Sequence, residues 1–196
     1  TAGENIVKFN GTAATISSAS ASSISATVPP GATTGKISIT IIGNTTTSTA
    51  DFTVIYLPTI TNFSPTTGIS GTAITITGTN FSTTLANNIV KFNNVIATVT
   101  AATTTTLTAI VPENATTGNI TVEVNGQTTI SSVNLSVLPT LTGFAPSFGA
   151  IGSEVIITGT GFDPLAANNT VTINNTNATV IAVTTTSLTV QVPAGA

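Results

Sequence analysis

Histidine, cysteine, methionine, tryptophan and arginine are all absent from this sequence, and only nine of its 196 residues carry charge: Lys8, Lys36, Lys91, Glu4, Asp51, Glu113, Glu123, Glu154 and Asp163. Each absence excludes a class of chemistry. Without a thiol or an imidazole there is no soft metal ligand and none of the usual nucleophile–base pairs. Without a guanidinium there is no fork for phosphate or carboxylate. Three lysines and a net charge of −3 give no electrostatic footprint for nucleic acid or for an anionic membrane. Without cysteine there are no disulfides, which suits a prokaryotic surface protein as well as a cytosolic one. Apolar runs are short, Val54-Ile55-Tyr56-Leu57 being among the longest, and a membrane helix needs about 18 residues. The start, Thr1-Ala2-Gly3-Glu4, has neither the basic nor the apolar region of a signal peptide. It reads as a processed start or as an internal piece of a longer protein.

What is present is threonine, 46 residues of it, in a chain that is 40% hydrophobic. Threonine is β-branched, favours strands and keeps an outward face wet without charge. The strong helix formers are scarce. Composition alone therefore predicts an all-β protein.

The sequence repeats itself. Asn5-Ile6-Val7-Lys8-Phe9-Asn10 returns as Asn88-Ile89-Val90-Lys91-Phe92-Asn93 and, more loosely, as Asn169-Thr170-Val171-Thr172-Ile173-Asn174. Val28-Pro29, Val111-Pro112 and Val192-Pro193 keep the same two shifts, and Leu57-Pro58-Thr59 matches Leu138-Pro139-Thr140. These anchors divide the chain into residues 1–57, a repeat without its opening strands, 58–138, a complete repeat, and 139–196, a repeat without its closing strands. The ends read as a window on a longer array. Exchange of strands between molecules fits less well, because both ends carry the Val-x-Phe-type strand, its hairpin partner and the strand ending in Val-Pro.

Strand signals in the complete repeat come every 8–12 residues. Ile74 and Ile76 alternate with Thr75 and Thr77; Val90 and Phe92 alternate with Lys91; Leu107, Ala109 and Val111 share a face, as do Ile120, Val122 and Val124. Val133, Leu135 and Val137 are in phase on the returning strand. Asn93-Asn94 and Asn125-Gly126 are hairpin turns, since asparagine and glycine tolerate positive φ. About seven short strands in one repeat predict an immunoglobulin-like sandwich, with Phe63, Phe81 and Phe92 at its centre.

The spacing of Pro58, Ile60, Phe63, Pro65, Gly68, Gly71, Ile74, Ile76, Gly78 and Phe81, repeated at Pro139, Leu141, Phe144, Pro146, Gly149, Gly152, Val155, Ile157, Gly159 and Phe162, resembles the IPT/TIG domain. The resemblance implies tandem immunoglobulin-like β-sandwiches. It does not fix a function, because such domains occur in receptors, transcription factors, polysaccharide enzymes and bacterial surface arrays.

Several side chains are candidates for chemistry. Glu113 and Glu123 are the close acidic pair of the complete repeat, but Pro30 and Thr40 replace them in the first. Glu154, Asp163 and Asn168-Asn169 offer oxygens to a hard cation, yet Ala73 and Ser82 stand where Glu154 and Asp163 would be. Gly159-Thr160-Gly161 reads as a turn or bulge and not as a phosphate cradle. Lys8 and Lys91 face outward by parity, which disfavours a lysine crosslink. Thr75, Thr77, Thr79, Thr158 and Thr160 line outward faces as hydroxyl ladders. Sequons occur at Asn62, Asn114 and Asn134. No catalytic, cofactor or metal residue is expected.

The reading is a structural segment of an extracellular prokaryotic surface protein, an adhesin-like stalk or filament whose partners are neighbouring repeats, with lateral or end-to-end self-association and no enzymatic activity. The alternative is a carbohydrate-binding accessory module. Such modules usually stack sugars on exposed aromatic rings, for which Tyr56 and Phe148 are the few candidates.

Overall fold

Threonine is nearly one residue in four, and a chain so rich in β-branched residues loses little by extending. The computed structural model describes residues 5–196, and apart from short 3₁₀ turns its regular elements are strands. Two compact units are present, one ending at Tyr56 and one running from Leu57 to Ala196.

The first unit contains β1 (Asn5–Phe9), β2 (Thr12–Ala13), β3 (Thr15–Ala19), β4 (Ile24–Thr27), β5 (Gly35–Ile41) and β6 (Asn44–Phe52). One sheet has the order β2-β1-β5-β6, and β3 and β4 form a separate pair. Val7, Phe9 and Ala32 are buried, with Ile37 and Ile39 packed half-buried against them. The Tyr56 hydroxyl donates to the Ala32 carbonyl and ties the segment after β6 back to this core.

The second unit opens with a sealed sandwich: β7 (Thr59–Ser64), β8 (Thr67–Gly68), β9 (Ala73–Thr79), β10 (Asn88–Phe92), β11 (Val95–Ala102), β12 (Thr106–Ile110), β13 (Gly118–Val124) and β14 (Gln127–Val137). The long β11 joins the two layers. Its first residues pair with β10 and those from Thr98 onward pair with β12. One layer is thus β7-β9-β12-β11 and the other β11-β10-β13-β14-β8. The expected alternation is met between them: Ile74, Ile76, Val90, Phe92, Leu107, Ile120 and Val122 are essentially inaccessible. Asn93-Asn94 and Asn125-Gly126 take positive φ at both positions, the two-residue hairpin geometry that matches strand twist.

The same unit continues into β15 (Thr140–Ala145), β16 (Glu154–Thr160), β17 (Val171–Ile173), β18 (Thr176–Val183) and β19 (Ser187–Gln191), in the order β15-β16-β19-β18-β17. Val155, Ile157, Phe162, Leu188 and Val190 are its buried residues.

One expectation fails, and one repeated position differs in burial. Val133 is 55% exposed. Register slips between β13 and β14, so that Ser131 to Val133 are accommodated as a bulge opposite Ile120, and the phase of the strand changes there. Ser131, a polar residue, takes the inward place and is buried. Phe144 is 58% exposed where its counterpart Phe63 is 3% exposed. In the complete repeat the layer bearing β13 and β14 covers Phe63, and residues 139–196 contain no equivalent pair.

Candidate functional site

The repeat motifs resolve into structural devices. A Cβ on Gly78 or Gly159 would overlap the carbonyl oxygen of Thr59 or Thr140, and the ring of Phe81 or Phe162 lies against the same glycine. The Gly-x-x-Phe spacing therefore seats a ring and a neighbouring strand on one bare Cα. The Asn10 side-chain amide donates to Thr33 Oγ1 at 2.8 Å, and that of Asn93 donates to Thr116 Oγ1 at 2.7 Å. Gly35 and Gly118 leave the space those asparagines fill. Thr33 and Gly35 belong to Ala32-Thr33-Thr34-Gly35, and Thr116 and Gly118 to its repeat Ala115-Thr116-Thr117-Gly118.

The acidic residues do not converge. Glu113 is exposed in a turn, and Glu123 is half-buried on β13 among outward residues. Glu154 begins β16, and Asp163 follows its far end, about 20 Å away for seven residues of extended strand. Asp163 is engaged within its own loop: one carboxylate oxygen accepts from the Leu165 amide at 2.8 Å. The Asn169 side chain accepts from the Asp163 amide at 3.1 Å and donates to the carbonyls of Asp163 and Leu165 at 2.8 and 2.9 Å. Asn88 makes the same clamp around Ser82 and Thr84. Among the described residues no three acidic side chains gather as a metal cluster.

Lys8 is exposed on β1, and Lys91 is half-buried on β10. Lys36 pairs with Asp51 at 3.0 Å across β5 and β6. The threonine ladders point outward and bond to each other, Thr59 to Thr79 at 2.8 Å and Thr140 to Thr160 at 2.7 Å. Asn62, Asn114 and Asn134 are all exposed.

One concave feature stands out, and sequence reasoning had not singled it out. Along the open side of residues 139–196 run two cavities of about 520 and 460 Å³. Both are lined by Leu141, Ile157, Val171 and Thr172, so together they form one trench. At one end the trench meets Thr116, Thr117 and Val137 of the sealed sandwich, and at the other it meets Phe144 and Phe148. Phe148 is 85% exposed.

The junction between the sealed sandwich and the half-open one is short and held from several sides. The Leu138 amide donates to the Gly68 carbonyl at 2.9 Å. The Leu138 carbonyl lies against the bare Cα of Gly161, where φ is +72°. The Thr185 hydroxyl donates to Asn114 Oδ1 across the junction at 3.3 Å.

A family model described as the IPT/TIG domain matches residues 1–56, 58–137 and 139–196. No curated protein matches the chain. Solved structures similar to it include an auxiliary nutrient binding protein from Bacteroides thetaiotaomicron, 20% identical with a TM-score of 0.43 over 63% of this chain and 26% of that one. A surface glycan-binding protein from Prevotella bryantii is 18% identical, with a TM-score of 0.40 over 71% of this chain and 37% of that one. A protein from a xyloglucan utilization locus in Bacteroides uniformis is 20% identical, with a TM-score of 0.32 over 71% and 43%. The chain thus spans less than half the length of each of these three.

Proposed function

From the premise that the chain belongs to the IPT/TIG family, whose model matches it in three consecutive segments, we propose that it is a structural spacer in a prokaryotic cell-surface protein. Its repeats hold other parts of that protein at a set distance. The observation that carries this reading is the junction at Leu138-Pro139. Proline restricts its own φ and the conformation of the residue before it. Leu138 is also hydrogen-bonded on one side and packed on Gly161 on the other. A linker held in this way fixes the direction of the next sandwich, which is the property a spacer needs.

The chain has no cysteine, so pairs of introduced cysteines can be spin-labelled cleanly. Labels on exposed Ile96 and Ile181, in successive sandwiches, should give one narrow distance distribution. A broad or multimodal distribution would reject the spacer reading.

A second reading, a glycan-binding accessory module, draws support from Phe148, whose ring is free to stack on a sugar. A glycan array probed with the chain and with Phe148→Ala separates the two: retention that depends on Phe148 favours the module, and no retention favours the spacer.

A further inference from the structure

We propose that Asn125 is a site of self-modification, converted to aspartate and isoaspartate by attack of the Gly126 backbone nitrogen, and that the fold holds the chain's other Asn-Gly pair unreactive. Asn-Gly occurs at Asn10-Gly11 and at Asn125-Gly126. Glycine has no side chain to screen its backbone nitrogen, so each pair sets a nucleophile beside a side-chain amide. The two sites share a conformation. Each pair is a two-residue hairpin turn, closed by Phe9 opposite Thr12 in one case and by Val124 opposite Gln127 in the other. The φ values are +44° and +89° at Asn10 and Gly11, and +52° and +75° at Asn125 and Gly126. Both glycines have open space where a Cβ would stand. Backbone conformation and access therefore do not separate the two sites.

The side chains do. The Asn10 amide nitrogen donates to Thr33 Oγ1 at 2.8 Å and to the Thr34 carbonyl at 3.1 Å. Its Cγ fills the space where a Cβ on Gly35 would stand. The nitrogen that must leave is thus held through both its protons, and the carbon that must be attacked is covered on one side. Among the described residues no partner holds the Asn125 side chain, which is exposed at the tip of its hairpin. At that tip the reaction needs only water as co-reactant. The Gly126 nitrogen forms a bond to Asn125 Cγ, the Cγ–Nδ2 bond breaks, and Nδ2 leaves as ammonia with the proton of the attacking amide. The succinimide ring that remains is opened by water. Opening at Cγ gives aspartate in an ordinary chain, and opening at the main-chain carbonyl gives isoaspartate, with one more carbon in the backbone. Either product adds a negative charge two residues from Glu123, in a chain whose net charge is −3. Aspartate tolerates the positive φ of the turn, so the first product keeps the hairpin. Isoaspartate lengthens the turn and moves Val124 off Gln127. This inference is independent of the spacer reading, which needs only the junction.

The test incubates the 196-residue chain in mildly alkaline buffer and follows both Asn-Gly pairs by peptide mass mapping, with aspartate and isoaspartate separated by chromatography. Conversion at position 125 should be at least tenfold faster than at position 10, and it should speed up with pH because the attacking amide must lose its proton. In urea, where the bonds of Asn10 are gone, the two rates should converge. Thr33→Val removes one acceptor and should speed conversion at position 10 severalfold while position 125 is unchanged. Thr33→Ser keeps the acceptor and should leave both rates as they are. Asn125→Asp should abolish the mass change at that position and leave thermal unfolding unaltered. Equal rates at the two positions in the folded chain overturn the proposal. So does a difference that persists in urea, or a Thr33→Val chain in which Asn10 stays as slow as in the wild type.

Discussion

The Ser131 hydroxyl accepts a hydrogen bond from the Ile120 amide at 2.9 Å and donates one to the Val133 carbonyl at 2.7 Å. It thereby replaces a rung of the β13–β14 ladder where the bulge has broken it. Ser48 does the same in the first unit, accepting from the Ile37 amide at 3.1 Å and donating to the Ala50 carbonyl at 2.6 Å. A buried amide left without its acceptor costs about 1–3 kcal/mol. Ser131→Ala should therefore destabilise the complete repeat by about that much in urea unfolding. Val133→Thr, at an exposed position, should stay within about 0.5 kcal/mol. A larger effect at Val133 than at Ser131 would restore the simple alternation.

Gly78 makes a prediction of another kind. A methyl group there has no space, because the Thr59 carbonyl and the Phe81 ring already occupy it. Overfilling a packed site costs about 1–3 kcal/mol and shifts backbone. Gly78→Ala should lower stability by at least that amount. Gly71→Ala tests the opposite case: Gly71 has open space around it but φ of +85°, so its cost, about 1 kcal/mol or somewhat more, should come from strain alone. Thermal unfolding of both variants decides whether crowding or conformation dominates at these two family glycines.

The strands, their inward faces and the hairpin turns were legible in the sequence because alternation and asparagine–glycine pairs are local signals. Ile74, Ile76, Val90 and Leu107 announce their burial by period alone. Ser131 was not legible, because a bulge cancels the period at the point where it acts, and a serine among serines carries no mark. The exposure of Phe144 was not legible for a different reason. Its motif position is that of Phe63, but burial depends on strands distant in sequence, and the motif records only the near ones. The Asn88 and Asn169 loop clamps sat in plain view within Asn-rich stretches. Their hydrogen bonds depend on a loop conformation that no pattern in those stretches encodes.

The contrast between Phe92 and Phe144 is measurable. Phe92 is 1% exposed and Phe144 58%. Phe92→Ala should cost roughly 3–5 kcal/mol, the usual loss for a buried phenylalanine. Phe144→Ala, with more than half its surface already in water, should cost about 1 kcal/mol or less. Lys91→Ala, beside Phe92 on the other face of β10, should stay near about 0.5 kcal/mol. Equal losses at Phe92 and Lys91 would mean that the parity of β10 is inverted.

The loop clamps predict a loss confined to one region. Asn88 is 4% exposed and holds its loop through Ser82 and Thr84 with three hydrogen bonds of 2.8–3.0 Å. At about 1 kcal/mol for each bond, Asn88→Ala should cost about 2–3 kcal/mol. Asn88→Asp keeps the acceptor for the Ser82 amide but sets a carboxylate oxygen against the Ser82 and Thr84 carbonyls in a buried site, so it should cost at least as much as alanine. A loss smaller than that of alanine would place most of the energy in the accepted bond.

Differences in burial between the repeats predict a gradient of local stability, and hydrogen exchange reads it directly. In the complete repeat Ile74, Ile76, Val90, Ala109, Ala115, Ile120 and Val122 are fully shielded, and opening any of their strands exposes the whole core. In residues 139–196 only Val190 reaches that level; Val155 and Ile157 remain 9% and 8% exposed beside the trench. Among the described residues of the first unit the buried set shrinks to Val7, Phe9 and Ala32. Amides of β9, β10, β12 and β13 should therefore exchange last, at rates set by global unfolding. Those of β16 and β19 should exchange earlier, and those of β3 and β4, a two-stranded pair with exposed outer residues, earliest of all. Protection spread equally over residues 5–50 and 145–196, and rising with protein concentration, would show that the open sides of the two flanking repeats close on each other between molecules.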